Sequence, residues 1–368
     1  MSQILENNIV YLLKSNEINR ALDLVIDKTS DNQLNTYKVL SAKLMMLLGQ
    51  LDRFNEYIKK VNIKAYFSKG PSTYMYYYMY YSLVELDYEK REEYLDKFEE
   101  ASDLLNDDQY KIETILKDLT DEKLAWMEEE EHLESVESTN TYMKGELEKG
   151  HRVRIVTADE QIAGKGQKDH LFVSPKGGLY ISLNIKVPDS DLVLVTSQAG
   201  VLVAKSLKKI SDEDIKIKWL NDLYIDDKKF AGILCESAVD CKGHAQYTIV
   251  GIGINLVEES PIPENLKEKM TTLLGKEADL STRDIIENVK YYVVPSIFSM
   301  QEGICHTKLL EKYNELIAKK DDLVTVYNES EEISGVLVGL DENLDVVLDV
   351  DGEEKSFSYG YYRLKFNK

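Results

Sequence analysis

Through the first 125 residues apolar side chains recur at helical spacing. Leu40, Leu44, Met45 and Leu48 stand at i, i+4, i+5 and i+8, which places them on one face of a helix. Pro71 is the single proline before Pro175. The pattern predicts an all-α N-terminal domain over residues 1–130. Glu17-Ile18-Asn19-Arg20-Ala21, Gln50-Leu51-Asp52-Arg53-Phe54 and Glu85-Leu86-Asp87-Tyr88-Glu89 each begin a helix after a turn, 33 to 35 residues apart. That is the period of tetratricopeptide-like helix hairpins, and an irregular helical bundle fits the same residues. Residues 74–81 hold six tyrosines and two methionines. Tyrosine is amphipathic, so this run suits a groove for a protein partner. A helix packed on two sides has the same composition.

The period then changes. The four acids at residues 128–131 read as a solvated helix end or linker. Residues 152–158 alternate like a strand. Leu179, Ile181, Leu183 and Ile185 alternate with polar residues, which predicts a strand with one buried face. Residues 189–210 predict a long amphipathic helix, acidic at its start and lysine-bearing near its end, as the helix dipole favours. Ile215, Ile217 and Trp219 face one way from a strand, with Lys216 and Lys218 on the other side. Asp226-Asp227 reads as a two-residue hairpin turn. A strand over 247–254 and helices over 283–299 and 307–319 follow. From Leu323 onward short strands alternate with turns at Asp341-Glu342-Asn343 and Asp351-Gly352. The whole reads as multidomain: a helical domain (1–130), an α+β domain (131–320) and a small β domain (321–368).

A formal charge of −21 disfavours DNA, RNA and anionic membranes, because phosphate binding needs clustered Lys and Arg. Residues 1–130 also lack strand-and-wing patterning and a basic recognition helix, so no operator binding is expected. No apolar run reaches membrane-spanning length, and the N-terminus lacks the features of a signal peptide. Cys235, Cys241 and Cys305 have neither disulfide-framework nor zinc-site spacing, so reduced thiols in a cytoplasmic protein are expected. Lys165, Lys168, Lys218, Lys228 and Lys229 form a local basic concentration suited to a nucleotide.

Six short motifs carry the candidate chemistry: Ser138-Thr139-Asn140, Gln161-Ile162-Ala163-Gly164-Lys165-Gly166, Phe172-Val173-Ser174-Pro175, Lys218-Trp219-Leu220-Asn221-Asp222, Lys228-Lys229-Phe230-Ala231-Gly232-Ile233-Leu234 and Gly251-Ile252-Gly253-Ile254-Asn255. Singly each has an ordinary structural explanation. Gly164-Lys165-Gly166 fits a tight turn as well as an anion cradle, and Ser138 fits a helix N-cap. In this order and spacing they resemble the catalytic domain of biotin protein ligases, from about Glu134 to the C-terminus.

The resemblance implies an α+β biotin/lipoate-ligase catalytic fold and an SH3-like β-barrel at the C-terminus. It implies adenylation of biotin by ATP with Mg²⁺, then transfer of biotin to a lysine of a biotin carboxyl carrier protein. Lys218, Lys165 and Asp222 would be catalytic. Ser138, Thr139, Asn140, Gln161, Gly164, Lys165, Lys218 and Gly232 would bind biotin, hydroxyls and carboxamides matching both polarities of its ureido group. Lys165, Gly166, Gln167, Asn221, Lys229 and Asn255 would bind ATP. Asp222 would stand near Mg²⁺, which phosphates and water largely hold. Gly232, Gly251 and Gly253 would leave room for ligand, or serve close strand packing. Residues 262–273 would help cover the nucleotide. An exposed strand edge offers a homodimer surface, as in relatives.

Three positions depart from the family pattern. Gln167 stands where the family has arginine, Asp169 where it has glycine, and Leu220 where it has proline. Losing one charge-assisted hydrogen bond costs roughly 1.5–3 kcal/mol, which weakens retention of the adenylate. A catalytically weak or inactive biotin- or carrier-binding adaptor is the alternative these departures favour. A lipoate ligase lacks support, because its arginine- and glycine-rich signature is absent.

Overall fold

The computed structural model describes residues 130–368 apart from 152, 167–170, 187–190, 240–244, 260, 276–280 and 368, and before them residues 18–29 with scattered positions between 9 and 97. The chain divides into two compact units, residues 1–127 with 299–306, and residues 128–298 with 307–368. In the first, helix α1 (Ile18–Thr29) buries Ala21, Leu22 and Val25 on one face. Leu40, Leu44 and Met45 are helical and buried, as their spacing predicts. Leu48, the second and third repeat stretches apart from Arg53, and the tyrosine run lie outside the described residues.

The second unit holds a seven-stranded mixed sheet, in the order β1-β2-β3-β7-β6-β5-β4. Its strands are β1 (Glu130–Val136), β2 (Ile155–Gln161), β3 (Gly178–Ile185), β4 (Lys216–Lys218), β5 (Asp222–Ile225), β6 (Lys228–Val239) and β7 (Ala245–Asn255). The β1–β2 pair is parallel and the other pairs are antiparallel. Helix α2 (Thr139–Glu148) packs on β2, β3, β6 and β7. Helix α3 (Leu192–Leu207) packs on β4, β5, β6 and helix α4 (Thr282–Phe298), which also lies against β3. Helix α5 (His306–Leu316) leads to a five-stranded antiparallel sheet, ordered β11-β10-β9-β8-β12. It comprises β8 (Leu323–Tyr327), β9 (Glu332–Leu340), β10 (Val346–Val350), β11 (Glu353–Phe357) and β12 (Arg363–Phe366).

Hairpin chemistry is as expected. Asp226 and Asp227 have φ of 45° and 62°, and Asp351 and Gly352 have φ of 57° and 85°. Two successive left-handed residues match the twist of the strands they join.

Four sequence expectations are corrected. Of the acid run, Glu130 and Glu131 open β1 rather than ending a helix or forming a linker, and 128 and 129 lie outside the described residues. The strand expected over 152–158 begins at Ile155 and runs to Gln161. Strand β3 is buried on both faces rather than one, because α4 covers one side and α2 lies over the other. Its polar side chains tolerate this by hydrogen bonding: Ser182 to α2 and Asn184 Nδ2 to the Val153 carbonyl. Helix α3 is buried at twelve of its sixteen residues instead of being amphipathic, since it lies between the sheet and α4. Its cap is Asp191, whose carboxylate accepts from the Leu194 amide at 2.7 Å.

An ion pair ties β1 to α4. Lys290 Nζ donates to both Glu130 carboxylate oxygens, at 2.8 and 2.7 Å, and Thr157 Oγ1 donates to Oε1 at 2.7 Å. Burial alone would raise the Glu130 pKa; the Lys290 and Thr157 hydrogen bonds outweigh it and hold the carboxyl below its ordinary value. A depressed folded pKa contributes stability that is present above the unfolded value, about 4.3 for Glu, and lost as pH falls through the folded one. Lys290→Met is therefore expected to lower Tm at pH 7, with the gap to the parent protein closing in acid. A gap constant from pH 7 to 3 would refute this.

Candidate active site

The strand register alone assembles most of the site. Lys218 pairs with Asp222, Asp222 with Gly232, Gly232 with Gly253, and Gly253 with Tyr180. Directly paired residues point to the same face of a sheet. This row therefore carries a lysine and an acid at one end and two glycines in the middle. The neighbouring row runs Leu234, Gly251, Ser182 and Val156. Glycines at the centre lower the floor of the sheet. Above the second row sits the start of α2. A Cβ on Gly251 would come within 2.1 Å of Asn140 Oδ1, and one on Gly253 within 2.4 Å of the Phe172 ring. In this structure, then, both glycines serve the close approach of protein side chains.

A cavity of about 270 Å³ lies over these rows. At one end Ser138 caps α2 by position, without a side-chain cap bond. Thr139 donates its backbone N–H to Gln161 Oε1 at 2.9 Å, and Gln161 Nε2 donates to Ser174 Oγ at 2.9 Å. Asn140 Nδ2 donates to Glu236 Oε2 at 2.7 Å and to the Leu234 carbonyl at 3.2 Å. Thr139 and Asn140 are buried, so this end of the cavity is a fixed set of polar, uncharged groups.

The other end is cationic. Lys229 Nζ bonds Asp222 Oδ1 at 2.7 Å and lies 5.2 Å from the Phe172 ring centroid. Lys218 Nζ lies 4.7 Å from the Phe366 ring centroid and 5.4 Å from that of Tyr224, within cation–π range. Burial pulls the Lys218 ammonium below the usual lysine range, Asp222 opposes that shift, and Lys229 adds to it. Asn221 Nδ2 donates to the Ile233 carbonyl at 2.6 Å. The peptide Trp219–Leu220 is cis, at the position where the family has proline. Among the described residues no three His, Cys, Asp or Glu side chains cluster as a metal site.

Eleven of the residues expected from sequence line this cavity: Ser138, Thr139, Asn140, Gln161, Lys165, Gly166, Lys218, Asn221, Asp222, Lys229 and Gly232. Gly164 supports the lining from behind. A Cβ there would meet the Phe172 carbonyl oxygen at 2.4 Å and Ser174 Oγ at 2.6 Å. Asn255 is not gathered with them. It is buried, stands 3.0 Å from the Tyr180 hydroxyl, which donates to the Pro175 carbonyl at 2.6 Å, and borders a second cavity of about 130 Å³ with Ile262, Pro263 and Met270. Gln167 and Lys168 lie outside the described residues. Cys235 is a buried thiol whose pKa burial pushes up to about 12, which makes it inert; Cys241 lies outside the described residues.

Sequence reasoning missed the wall contributed by the C-terminal sheet. Tyr327, Tyr359, Tyr362, Arg363 and Leu364 all border the cavity. The two sheets are locked together there. Trp219 Nε1 donates to the Leu344 carbonyl at 3.0 Å, the Tyr313 hydroxyl to the Leu220 carbonyl at 2.9 Å, and the Trp219 and Tyr359 rings meet edge to face at 5.6 Å. The available signal was the tyrosine cluster around Gly360, which no motif flags.

Residues 132–255 match the model of the Biotin/lipoate A/B protein ligase family. The chain is 28% identical over 239 residues to the bifunctional ligase/repressor BirA of Salmonella typhimurium, covering 62% of this chain and 72% of that protein. It is 29% identical over 230 residues to biotin–protein ligase 2 of Arabidopsis thaliana, covering 57% and 69%. A biotin protein ligase from Aquifex aeolicus, solved with biotin and ATP, superposes with a TM-score of 0.55 at 25% identity, covering 65% of this chain and all of that one. Over residues 132–255, whose motif residues mostly line one cavity, the chain is therefore similar to the Biotin/lipoate A/B protein ligase family.

Proposed function

We propose that this protein activates biotin with ATP as biotinyl-5′-adenylate and transfers biotin to a lysine of a biotin carboxyl carrier protein. The observation that carries the reading is the polarity of the cavity. A neutral hydrogen-bonding end at Thr139, Asn140 and Gln161 matches a cyclic urea, and a cationic end at Lys218 and Lys229 matches a carboxylate meeting a phosphate. In the first step a biotin carboxylate oxygen bonds to the α-phosphorus of ATP and pyrophosphate leaves. Two anions approach each other, so positive charge fixed beforehand lowers the barrier. Lys218 supplies it at the carboxylate, with Lys165 and the Gly166 backbone at the phosphates. In the second step the carrier lysine amine attacks the biotinyl carbonyl and AMP leaves, a proton being lost from nitrogen. Ser138 and Gly232 complete the biotin end; Gly164 shapes the loop; Asn221 stands on the nucleotide side.

Asp222 is the carboxylate at the phosphate end, and Lys229 already engages it. One such ligand suits Mg²⁺ carried in on ATP phosphates and offset by water; the ion would neutralise phosphate charge. The C-terminal sheet reads as the SH3-like domain. The charge of −21 supports a protein partner over DNA. No helix among the described residues is long and apolar enough to cross a membrane.

Incubation with ATP, Mg²⁺, biotin and a carrier domain is expected to raise the carrier's mass by one biotinyl group. Biotin binding with no mass change would leave the adaptor reading instead.

A further inference from the structure

The direction of the hydrogen bonds under the neutral end of the cavity is set from outside it. Asn140 Nδ2 has two hydrogens, and both are engaged, one by Glu236 Oε2 at 2.7 Å and one by the Leu234 carbonyl at 3.2 Å. A carboxylate and a carbonyl only accept. The Asn140 amide therefore has one orientation, with Oδ1 turned to Ser182 Oγ at 2.6 Å. Ser182 Oγ is also 2.8 Å from Thr139 Oγ1. A hydroxyl holds a single hydrogen. Asn140 Oδ1 cannot donate and makes the shorter contact, so it takes the Ser182 hydrogen. The Thr139 hydroxyl must then complete the second contact with its own hydrogen. Gln161 Oε1, which already accepts from the Thr139 N–H, stands 3.2 Å away as the alternative acceptor. Either way the Thr139 proton is taken up by a protein acceptor. What Thr139 offers the cavity is a lone pair.

We propose that Glu236 is a positioning residue for ligand selection. Acting through Asn140 and Ser182, it fixes the Thr139 hydroxyl as an acceptor, so that the pocket demands an N–H donor from its ligand. Glu236 does not border the cavity, while Thr139 and Asn140 do. Gly251 makes the relay possible, since any Cβ there would collide with Asn140 Oδ1. The inference rests on the biotin reading and deepens it. It explains how a pocket of neutral groups can accept a cyclic urea and refuse a ring without N–H. Without an acceptor at 236 the Asn140 amide keeps only the longer 3.2 Å contact with the Leu234 carbonyl to orient it, so the direction set at Ser182 and Thr139 weakens and the preference fades.

The test compares biotin with its isosteric cyclic-carbonate analogue, in which oxygen replaces both ureido N–H groups. Adenylate formation is measured for the parent protein, Glu236→Met and Glu236→Gln. The parent is expected to favour biotin in kcat/KM by roughly ten- to a hundredfold, the worth of an acceptor left unpaired. Glu236→Met should lose most of that ratio through the KM for biotin, with kcat at saturating biotin and KM for ATP unchanged. Glu236→Gln keeps an acceptor oxygen and should restore the ratio. A parent-like ratio in Glu236→Met, or no restoration by glutamine, overturns the proposal. If Glu236→Met melts early, Ser182→Ala cuts the same relay one step on and must also lose the ratio. A parent protein that forms no adenylate from biotin refutes the biotin reading itself, which is a separate result.

Discussion

Lys218→Ala is expected to slow pyrophosphate release from ATP and biotin by roughly 10²–10³-fold, the usual cost of removing one preorganised group that stabilises transition-state charge. The melting temperature should hardly move. Burial disfavours the charged form of Lys218 and pulls its pKa down, so little folding stability is expected to rest on that charge. Its contacts with the Phe366 and Tyr224 rings are lost, while the burden of a buried ammonium is lost with them. The same shift predicts a pH effect in the parent protein. Adenylation needs the protonated lysine, so its alkaline limb should fall below the ordinary lysine value of about 10.4. Near-parental pyrophosphate release by Lys218→Ala would remove this residue from the chemistry.

Gly251→Ala is expected to raise the KM for biotin by roughly tenfold or more and to cost about 1–3 kcal/mol of stability, the range for overpacking a filled core. The added methyl would stand 2.1 Å from Asn140 Oδ1. Asn140 is held on three sides by Glu236, Leu234 and Ser182, so it cannot yield without breaking that network. Gly145→Ala serves as the control. It lies on α2, where a Cβ meets nothing within 4 Å, and alanine there is expected to raise stability by up to about 1 kcal/mol. Equal biotin KM values for Gly251→Ala and the parent, from titrations of adenylate formation, would show that Asn140 is free to move aside.

Motif order, helix and strand periodicity and turn chemistry were legible in the sequence because they are local. Asp226-Asp227 and Asp351-Gly352 had to be turns. Lys218 had to oppose Trp219 across a strand. Ser138, Thr139, Asn140 and Gln161 were picked out by the resemblance of their motifs to biotin protein ligases, and residue type then marked them as uncharged hydrogen-bonding groups. What remained illegible depends on partners distant in the chain. Strand β3 alternates apolar and polar residues like a half-exposed strand, yet both faces are covered, because a strand cannot report what packs on its polar side. Helix α3 is flanked by Asp191 and Lys208 and carries Thr196, Ser197, Gln198 and Ser206, yet it is enclosed by the sheet and α4. The register decided that Lys218, Asp222, Gly232 and Gly253 share one row, and a slip of one residue would have turned the lysine away. Only the tertiary structure brought Tyr359 and Arg363 to the cavity wall, separated Asn255 into a second cavity, and set Glu236 behind Asn140. The sequence by itself determined which chemical groups this protein has for binding a neutral head and an anionic tail. The packing of two sheets and one helix decided which of those groups face each other, since burial fixes hydrogen-bond direction and side-chain distance in a way that no linear spacing can.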